Sequence, residues 1–370
     1  MDYAGITSRS IRERVQEFRG HMSEADLEAY WVVKEANVRY LSGFKGDSST
    51  LFITHDVAVL ITDSRFEEQA EEEAAVDRVT VRQGSMMDAV EDLCQSFDHP
   101  RTGLTASNVT YADGRALMSS FPGERLEPLE NGLAERMRLR KGQEEVDAIV
   151  RAIRLAEDAF RAFESQVQPG RSEKWLGAWL EWEMKRRGAE GEAFDTICAV
   201  AERGSLPHAG RTQRELQHDM PLLVDWGARL GGYHSDLTRV LTTGTMPRRV
   251  YELIRVVLRA QQAALDMAGP GVSCSEVDRA ARDVIDDAGY GGRFAHSLGH
   301  GVGLEVHEAP RLAQGNDREL AAGMVLTVEP GIYIPGEAGV RVEDMIVITS
   351  TGHEMLSSLN TYPAFLTKQR

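Results

Sequence analysis

Five side chains of the metal-ligating type occur in the second half of the chain, each in a context that restricts its geometry. They are Asp225, Asp236, His300, Glu329 and Glu343. Four carboxylates and one imidazole form an oxygen-rich ligand set that favours Mn²⁺, Co²⁺ or Mg²⁺, although the histidine also suits Zn²⁺. Two such ions about 3.5–4 Å apart can lower the pKa of a water between them and activate it for hydrolysis. The residue types therefore indicate a hydrolase, for either a peptide or a phosphate ester.

The first two aspartates lie on either side of a glycine pair in VDWGARLGGYHSD. We predict a hairpin of strands 222–226 and 233–241 that turns at the glycines, which makes Asp225 and Asp236 cross-strand partners. Opposed side chains in an antiparallel pair have Cβ atoms about 5 Å apart, and like charges there are destabilising. A divalent cation between the two carboxylates would remove that penalty, so the arrangement favours a metal site.

A glycine-rich segment brings three histidines close together in the chain. HSLGHGVGLEVHE contains His296, His300 and His307. Its glycines favour a loop or irregular strand that a ligand can approach closely. A lone histidine is more often a satisfied core residue, but three in such a segment favour a site. The zinc motif HExxH is absent here, because Ser297 occupies the place of its glutamate.

The last two candidate ligands lie in segments predicted to be extended. The proline after Glu329 restricts that residue to an extended conformation. GVRVEDMIVI predicts a strand over 339–349 in which Arg341 and Glu343 share a face. A solvated strand face with a weak ion pair would account for these two residues alone. The three preceding ligands make a site the better interpretation.

Composition and charge exclude other classes of protein. A formal net charge of −16 over 370 residues argues against nucleic-acid binding and against a polybasic membrane-surface protein. No stretch approaches the roughly 18 apolar residues of a spanning helix, and the N-terminus lacks the apolar core of a secretory signal. Cys94, Cys198 and Cys274 form no CxxC pair, which favours reduced thiols in a cytoplasmic protein. The GxSxG and GxxxxGK[ST] motifs are also absent.

The helices and strands predicted to position these residues fall into two domains. The N-terminal part, residues 1–132, has an α/β pattern with strands at 30–33, 49–53 and 57–61 and helices at 66–75 and 86–97. The second part, residues 133–370, combines helices with antiparallel strands and lacks a strand–helix–strand rhythm, which predicts an α+β architecture. Its predicted helices are 144–168, 172–187, 247–268 and 275–288. Its predicted strands are 196–201, 222–226, 237–243, 325–328, 332–334 and 339–349. Trp175, Trp179 and Trp182 recur at helical spacing and are predicted to be core.

Several segments together resemble a known family. VDWGARLGGYHSDLTR, HSLGHGVGLEVHE, TVEPGIYIPG and GVRVEDM, in this order, resemble the M24 metallopeptidases, the pita-bread fold of methionine aminopeptidase, aminopeptidase P and prolidase. RYLSGF, ITDSRFEEQA and the linker MRLRKGQEEV resemble the N-terminal part of the proline-specific members. The resemblance covers nearly the whole chain. It implies a smaller creatinase/prolidase-type α/β domain over 1–132 and a pita-bread catalytic domain over 133–370.

The resemblance also implies a role for each site residue. The five ligands would bind two divalent metal ions, Mn²⁺ first with Co²⁺ or Zn²⁺ as alternatives, and Asp236 and Glu343 would bridge them. Asp225 would serve one ion, and His300 and Glu329 the other. A bridging hydroxide would attack the scissile carbonyl while Glu329 shuttles a proton. Substrate would contact His208, His296, His307, Tyr333 and Arg341, of which His208, His307 and Arg341 would also assist catalysis and Tyr333 would form a wall.

The implied activity is hydrolysis of Xaa-Pro bonds in proline-containing peptides by a cytoplasmic homodimer. An Xaa-Pro bond is a tertiary amide without an N–H, so it needs a pocket that does not depend on that donor. An aminopeptidase acting on longer peptides is expected ahead of an Xaa-Pro dipeptidase (prolidase). Metal-free creatinase-like hydrolysis and a non-catalytic peptide-binding role are the alternatives, and the complete ligand set argues against both. His234 and Phe66 depart from the family pattern without removing a ligand.

Overall fold

The computed structural model describes residues 5–120 and 125–360. Contacts divide them into two units, Gly5–Arg138 and the residues from Leu139 onward. Each unit has its own cluster of buried hydrophobic side chains. None of the described helices is long and apolar enough to cross a membrane.

The first unit is built on one mixed six-stranded sheet. Its strands follow the order β4-β3-β2-β1-β5-β6, with β1–β3 antiparallel and the outer pairs parallel. The central strands are apolar and buried on both faces, as expected for a sheet covered by helices. The strands β1–β6 are Ala29–Val32, Thr50–Thr54, Ala58–Thr62, Arg78–Val81, Thr102–Thr105 and Leu126–Leu129. The helices α1–α6 are Ser8–Glu24, Glu35–Ser42, Glu67–Glu73, Met86–Ser96, Tyr111–Ser120 and Leu133–Arg138. The predicted α/β pattern of this part is confirmed.

The second unit combines four long helices with strand pairs that are all antiparallel. The helices α7–α10 are Gln143–Phe163, Glu173–Arg186, Arg248–Met267 and Cys274–Ile285. The strands β7–β12 are Gly191–Glu192, Ile197–Val200, Pro221–Trp226, Ala228–Leu230, Tyr233–His234 and Leu237–Thr242. The strands β13–β19 are Gly299–Gly301, Glu308–Leu312, Val325–Val328, Gly331–Ile334, Ala338–Arg341, Asp344–Ile348 and His353–Met355. The predicted α+β architecture is confirmed.

Two sheets contain most of the strands that surround the candidate site residues. One has the order β12-β9-β8, and the other has the order β14-β13-β15-β18-β19. The strands β16 and β17 form a separate hairpin. Apolar side chains from these strands pack with α9 and α10 into one core. The polar residues of the site therefore lie on strands whose apolar neighbours are anchored in a continuous interior.

The tryptophan stripe of α8 is not core, so that prediction was wrong. Trp182 is 55% exposed, and Trp175 and Trp179 are only half-buried. The buried face of the helix instead carries Leu176, Gly177, Leu180 and Met184. Both sets recur at helical spacing, so periodicity alone could not decide which face is buried.

Candidate metal centre and active site

The hairpin that carries the two aspartates has the predicted turn but a different register. Gly231 and Gly232 have φ of 59° and 79°, the conformation that a two-residue type I′ turn requires. This turn continues into the pairing of β9 with β12, in which Asp225 lies opposite Thr238. Asp225 and Asp236 are therefore diagonal neighbours on one face and not direct cross-strand partners. The prediction of direct opposition was wrong because the turn sets the register of every residue beyond it.

Thr238, which the sequence did not single out, connects two strands of the site. Its hydroxyl donates to Glu343 Oε2 at 2.7 Å and accepts from Arg341 Nε at 3.1 Å. Its backbone carbonyl accepts from the N–H of Glu343 at 3.2 Å. Strand alternation is the signal that could have found it, since Thr238 follows Asp236 on the same face.

The predicted strand over 339–349 is interrupted at the candidate ligand. The strand β17 ends at Arg341 and β18 begins at Asp344, with Glu343 in an isolated bridge to Thr238. The chain changes partners here, because β17 pairs with β16 whereas β18 pairs with β15. The Arg341 and Glu343 side chains nevertheless converge, since both bond to the Thr238 hydroxyl. The continuous strand was a wrong prediction.

His300 lies on the short strand β13, which is irregular between His300 and Gly301. A Cβ at Gly301 would lie 2.3 Å from the Ala309 carbonyl oxygen, so this position requires glycine. The imidazole Nδ1 lies 3.1 Å from the Gly301 carbonyl oxygen and donates to it. The Nε2 lone pair then points to carboxylates, at 3.6 Å from Asp236 Oδ2 and 3.5 Å from Glu329 Oε1. A backbone acceptor on the other ring nitrogen is typical of a metal-ligating histidine.

The structure brings the five candidate ligands to one cavity of about 800 Å³. One ligand atom from each of Asp236, His300 and Glu343 lies within 4.8 Å of the others. Glu329 is adjacent through His300, and Asp225 joins the group through its contact with Arg341 Nη2 at 2.5 Å. The residues of the wider set that also line the cavity are His208, His296, His307 and Arg341.

The carboxylates of this group repel one another in a buried environment. Burial and the neighbouring Glu343 raise the pKa of Asp236 and of Glu329 well above their usual values. Burial and the charge of Asp225 raise the pKa of Glu343 to about 8. Arg341 lowers all three pKa values without compensating for these effects. The Arg341 guanidinium is outnumbered by three buried carboxylates and the partly buried Glu329, which leaves negative charge that divalent cations would neutralise.

Two further observations show that the residues fit divalent metal ions. Asp225 Oδ2 accepts from Arg341, whereas its Oδ1 is buried and has no hydrogen-bond partner within the described part of the chain. A buried carboxylate oxygen without a partner is costly, and a cation would satisfy it. Burial, together with His307, lowers the pKa of His300 to about 4, so the imidazole is neutral and able to ligate. The donor set is that of a hard or borderline divalent ion.

Tyr333 is buried and is not among the residues that line the cavity, but it bonds to two residues that are. Its hydroxyl accepts from Arg341 Nη1 at 2.7 Å and lies 2.8 Å from His296 Nε2. The His296 Nδ1 lies 2.8 Å from the Ser297 carbonyl oxygen and donates to it, so Nε2 accepts the tyrosine proton. Burial raises the pKa of Tyr333 to about 12, which keeps this proton in place. A chain of hydrogen bonds therefore runs from Asp225 through Arg341 and Tyr333 to His296.

We expect Tyr333→Phe to lower kcat/KM about 10-fold, because the change removes one buried hydrogen-bond partner from Arg341 Nη1 and one from His296 Nε2. Steady-state kinetics on a cleaved peptide would measure the effect. Tyr290→Phe is the matched control, since the Tyr290 hydroxyl accepts from Arg249 at an exposed position. Equal kcat/KM in the two variants would show that the buried hydroxyl does not contribute.

The two other histidines of the set approach the ligands from separate segments. The rings of His307 and His300 have centroids 4.4 Å apart in an edge-to-face arrangement. His208 is exposed, on the segment that follows β8. Burial lowers the pKa of His296 and of His307, and the nearby His208 lowers both further. The lowered pKa values favour neutral imidazoles at His296 and His307 beside the carboxylates.

Other polar residues support the site and were not predicted. Lys141 Nζ and Glu308 Oε2 form a buried ion pair at 2.9 Å, and Glu308 Oε1 accepts the N–H of Glu305 at 3.1 Å, which fixes the loop that holds His307. His234 is buried, and its backbone N–H donates to the Gly303 carbonyl at 2.9 Å. It therefore holds the glycine-rich segment. Residues that pair across such long stretches of the chain leave no local sequence pattern from which the contact could be predicted.

Comparisons with known proteins agree with this geometry. Residues 147–350 match the metallopeptidase family M24, and residues 14–140 match the creatinase/prolidase N-terminal domain. The Xaa-Pro dipeptidase of Pyrococcus furiosus is 32% identical over 348 residues, covering 94% of this chain and 98% of that protein. The solved Xaa-Pro dipeptidase of Bacillus anthracis aligns with a TM-score of 0.91 at 34% identity, covering 95% of this chain and 99% of the other. The X-Pro aminopeptidase of Thermotoga maritima aligns with a TM-score of 0.87 at 34% identity, covering 94% and 99%.

The chain belongs to metallopeptidase family M24, with a creatinase-type N-terminal domain before the catalytic domain. The family resemblance and the pita-bread fold expected from the sequence are both confirmed. The protein is a metallopeptidase, and membership of the family implies divalent metal ions as its cofactor.

Proposed function

We propose that this metallopeptidase hydrolyses Xaa-Pro bonds at a centre of two divalent metal ions. The observation that supports it best is the convergence of four carboxylates, three of them buried, and a neutral imidazole on one cavity, with Asp225 Oδ1 lacking a partner among the described residues. Asp236 and Glu343 would be ligands shared by both ions, Asp225 would be a ligand of one, and His300 and Glu329 would be ligands of the other. Mn²⁺ is the proposed metal, with Co²⁺ or Zn²⁺ as alternatives, because the donors are mostly carboxylate oxygens.

Metal ions bound at this centre would lower the pKa of a water and polarise the scissile carbonyl. The chain's own residues then orient the substrate and move protons. Glu329 would accept a proton of the attacking water and pass it to the leaving nitrogen. Arg341 holds the Asp225 carboxylate through Nη2 and keeps it turned toward the cavity.

Three histidines and the tyrosine complete the proposed substrate site. His208, His296 and His307 would hydrogen-bond the peptide carbonyl groups. Tyr333 fixes the ring orientation of His296. None of these contacts requires an N–H on the scissile bond, which suits a proline at that position. Arg341 lines the cavity, and Tyr333 lies next to it in the chain of hydrogen bonds that reaches Asp225.

Among Xaa-Pro substrates, we propose dipeptides ahead of longer peptides. The relatives from P. furiosus and B. anthracis, which match over nearly their full length, are named Xaa-Pro dipeptidases. The aminopeptidase activity that the sequence favoured is the second candidate, supported by the T. maritima X-Pro aminopeptidase at the same identity as the B. anthracis enzyme.

We expect a metal-dependent cleavage pattern that separates the two candidates. The purified protein would be assayed on Leu-Pro, Ala-Pro-Pro and the control Leu-Ala, after chelation and again after addition of Mn²⁺. Restored cleavage of Leu-Pro alone supports a dipeptidase, and restored cleavage of Ala-Pro-Pro supports an aminopeptidase. Preference for Leu-Ala, or no cleavage with metal bound, would contradict the Xaa-Pro assignment.

The proposal also includes the cellular location, the oligomeric state, the domains and the partners of the enzyme. Its three cysteines are buried free thiols, which supports a reducing, cytoplasmic location. The homodimer expected from the resemblance is retained. The proposed domains are an N-terminal domain over 1–132 and a catalytic domain over 133–370. The partners are proline-containing peptides, and neither nucleic acid nor membrane is among them.

A further inference from the structure

Glu173, the first residue of α8, has a fully buried carboxylate that binds both ends of one loop. We call residues 200–212 the His208 loop. At its start, Glu173 Oε1 accepts the N–H of Val200 at 3.0 Å and Arg203 Nε at 2.8 Å. At its end, Glu173 Oε2 accepts the N–H and the hydroxyl of Thr212 at 2.9 and 2.6 Å. Glu173 itself is 0% exposed, so these donors replace its hydration.

The bonds of Glu173 require an ionised carboxylate. An ionised carboxylate offers about four acceptor positions and no donor, which matches the four donor groups that surround it. A hydrogen bond to a charged group is stronger than one between neutral groups. Arg203 extends the connection across the loop, since its Nη2 donates to the Gly210 carbonyl at 2.6 Å. The two ends of the loop and its interior are therefore held by one charge.

The opposite side of the His208 loop contacts the strand that ends at Arg341. A Cβ at Gly204 would lie 3.1 Å from the Gly339 carbonyl oxygen, so the two backbones are in close contact. Arg341 Nη1 also donates to the Pro207 carbonyl at 3.4 Å. His208 is exposed at the cavity, so the backbone of the loop, rather than burial of the imidazole, determines where the ring lies.

We propose that Glu173 is a positioning residue for the reaction: its carboxylate holds the His208 loop so that His208 meets the substrate beside the metal ligands. The proposal rests on the proposed function, in which His208 contacts the peptide. Glu173 lies outside the cavity lining, so it acts through the loop and not on the substrate.

The test is Glu173→Gln, which keeps the shape but replaces one acceptor oxygen by an NH₂ group facing N–H donors. We expect faster backbone hydrogen exchange across 200–212, with unchanged exchange in Leu237–Thr242. We also expect kcat/KM on the cleaved peptide to fall about 10- to 100-fold, because small displacements of a positioned group are costly. The metal content should equal that of the wild type. Thr212→Val is a milder second variant that removes only the 2.6 Å hydroxyl bond.

The matched control is Glu183→Gln on the same helix. Glu183 is also buried, but it accepts from Arg186 and Arg187 of the following turn and has no bond to the His208 loop among its described contacts. We expect Glu183→Gln to leave kcat/KM and the exchange of 200–212 unchanged. Melting temperatures of both variants would be compared, so that general destabilisation is separated from loss of positioning.

A double-mutant cycle with His208→Ala decides whether Glu173 acts through His208. If it does, Glu173→Gln lowers kcat/KM less than about 2-fold when His208 is already absent. The same loss in both backgrounds, or unchanged exchange across 200–212, would overturn the proposal. Hydrogen exchange reports on the loop whether or not Xaa-Pro peptides are cleaved. A wild type inactive on these peptides but with a loop loosened by Glu173→Gln would therefore contradict the proposed function and leave the structural connection established.

Discussion

Asp236→Asn is expected to abolish metal-dependent peptidase activity, with kcat/KM reduced by about 10³-fold or more. The asparagine retains the shape of the side chain but removes the charge and one of the two carboxylate oxygens with which Asp236 would bind both proposed ions. The proposed ions would supply several kcal/mol of charge stabilisation to the transition state, and about 1.4 kcal/mol corresponds to a tenfold change in rate. Steady-state kinetics and metal analysis of the purified variant would measure both losses.

The same substitution is expected to raise the melting temperature of the metal-free protein. Asp236 is buried beside three other carboxylates, and its pKa is raised by burial and by their charges. Removing one charge therefore relieves repulsion when no cation is present. Asp266→Asn, at an exposed position on α9, is the control and should change neither activity nor melting temperature. Wild-type metal content and turnover in Asp236→Asn would contradict the assignment of Asp236 as a ligand.

Metal-free protein is expected to lose stability as the pH rises from 7 to 8.5. The folded-state pKa of Glu343 is about 8, above its ordinary value of 4.5, because of burial and Asp225. A group whose pKa is higher in the folded than in the unfolded state contributes its full stabilisation at pH values below the unfolded-state pKa. This contribution is lost as the pH rises through the folded-state pKa. One such group lowers the free energy of unfolding by about 1 kcal/mol between pH 7 and 8.5. The melting temperature is then expected to fall by about 2–4 °C. Asp236 and Glu329 act in the same direction.

The histidines of the site do not obscure this pH dependence. The folded-state pKa values of His296 and His300 are about 4, below the ordinary 6.5, mainly because of burial. Their contribution to stability is present above pH 6.5 and is lost as the pH falls, so they are neutral in both states between pH 7 and 8.5. Scanning calorimetry of chelated protein at several pH values would measure the expected decrease.

Two comparisons make this measurement specific to the metal centre. The metal-loaded protein should show a smaller decrease, because bound cations keep the carboxylates ionised. Metal-free Glu343→Gln should also show a smaller decrease, because it lacks the group that titrates. A metal-free wild type whose melting temperature is constant or rises from pH 7 to 8.5 would show that these carboxylates are not coupled in the folded protein.

Local sequence patterns were sufficient to single out the candidate ligands and to predict most of the helices and strands that carry them. The glycine pair at 231–232 predicts a two-residue turn because few other residues accept its backbone angles. The apolar periodicities predict helices and strands whose ends differ by a few residues from those observed. The five candidate ligands, in their order and within their extended or glycine-rich segments, were sufficient to identify the family. All of these properties depend on residues that are neighbours in the chain.

The tertiary structure alone decided which side chains meet. The chain changes strand partners at Glu343, since β17 pairs with β16 whereas β18 pairs with β15, and an isolated bridge brings Thr238 to Glu343. The face of α8 that is buried depends on what packs against it, which is why the tryptophan stripe was assigned wrongly. The contact of Glu173 with both ends of the His208 loop has the same origin. Residue types and local periodicity determined the chemistry and the elements of this protein, whereas long-range pairing and packing determined the geometry that makes them a site.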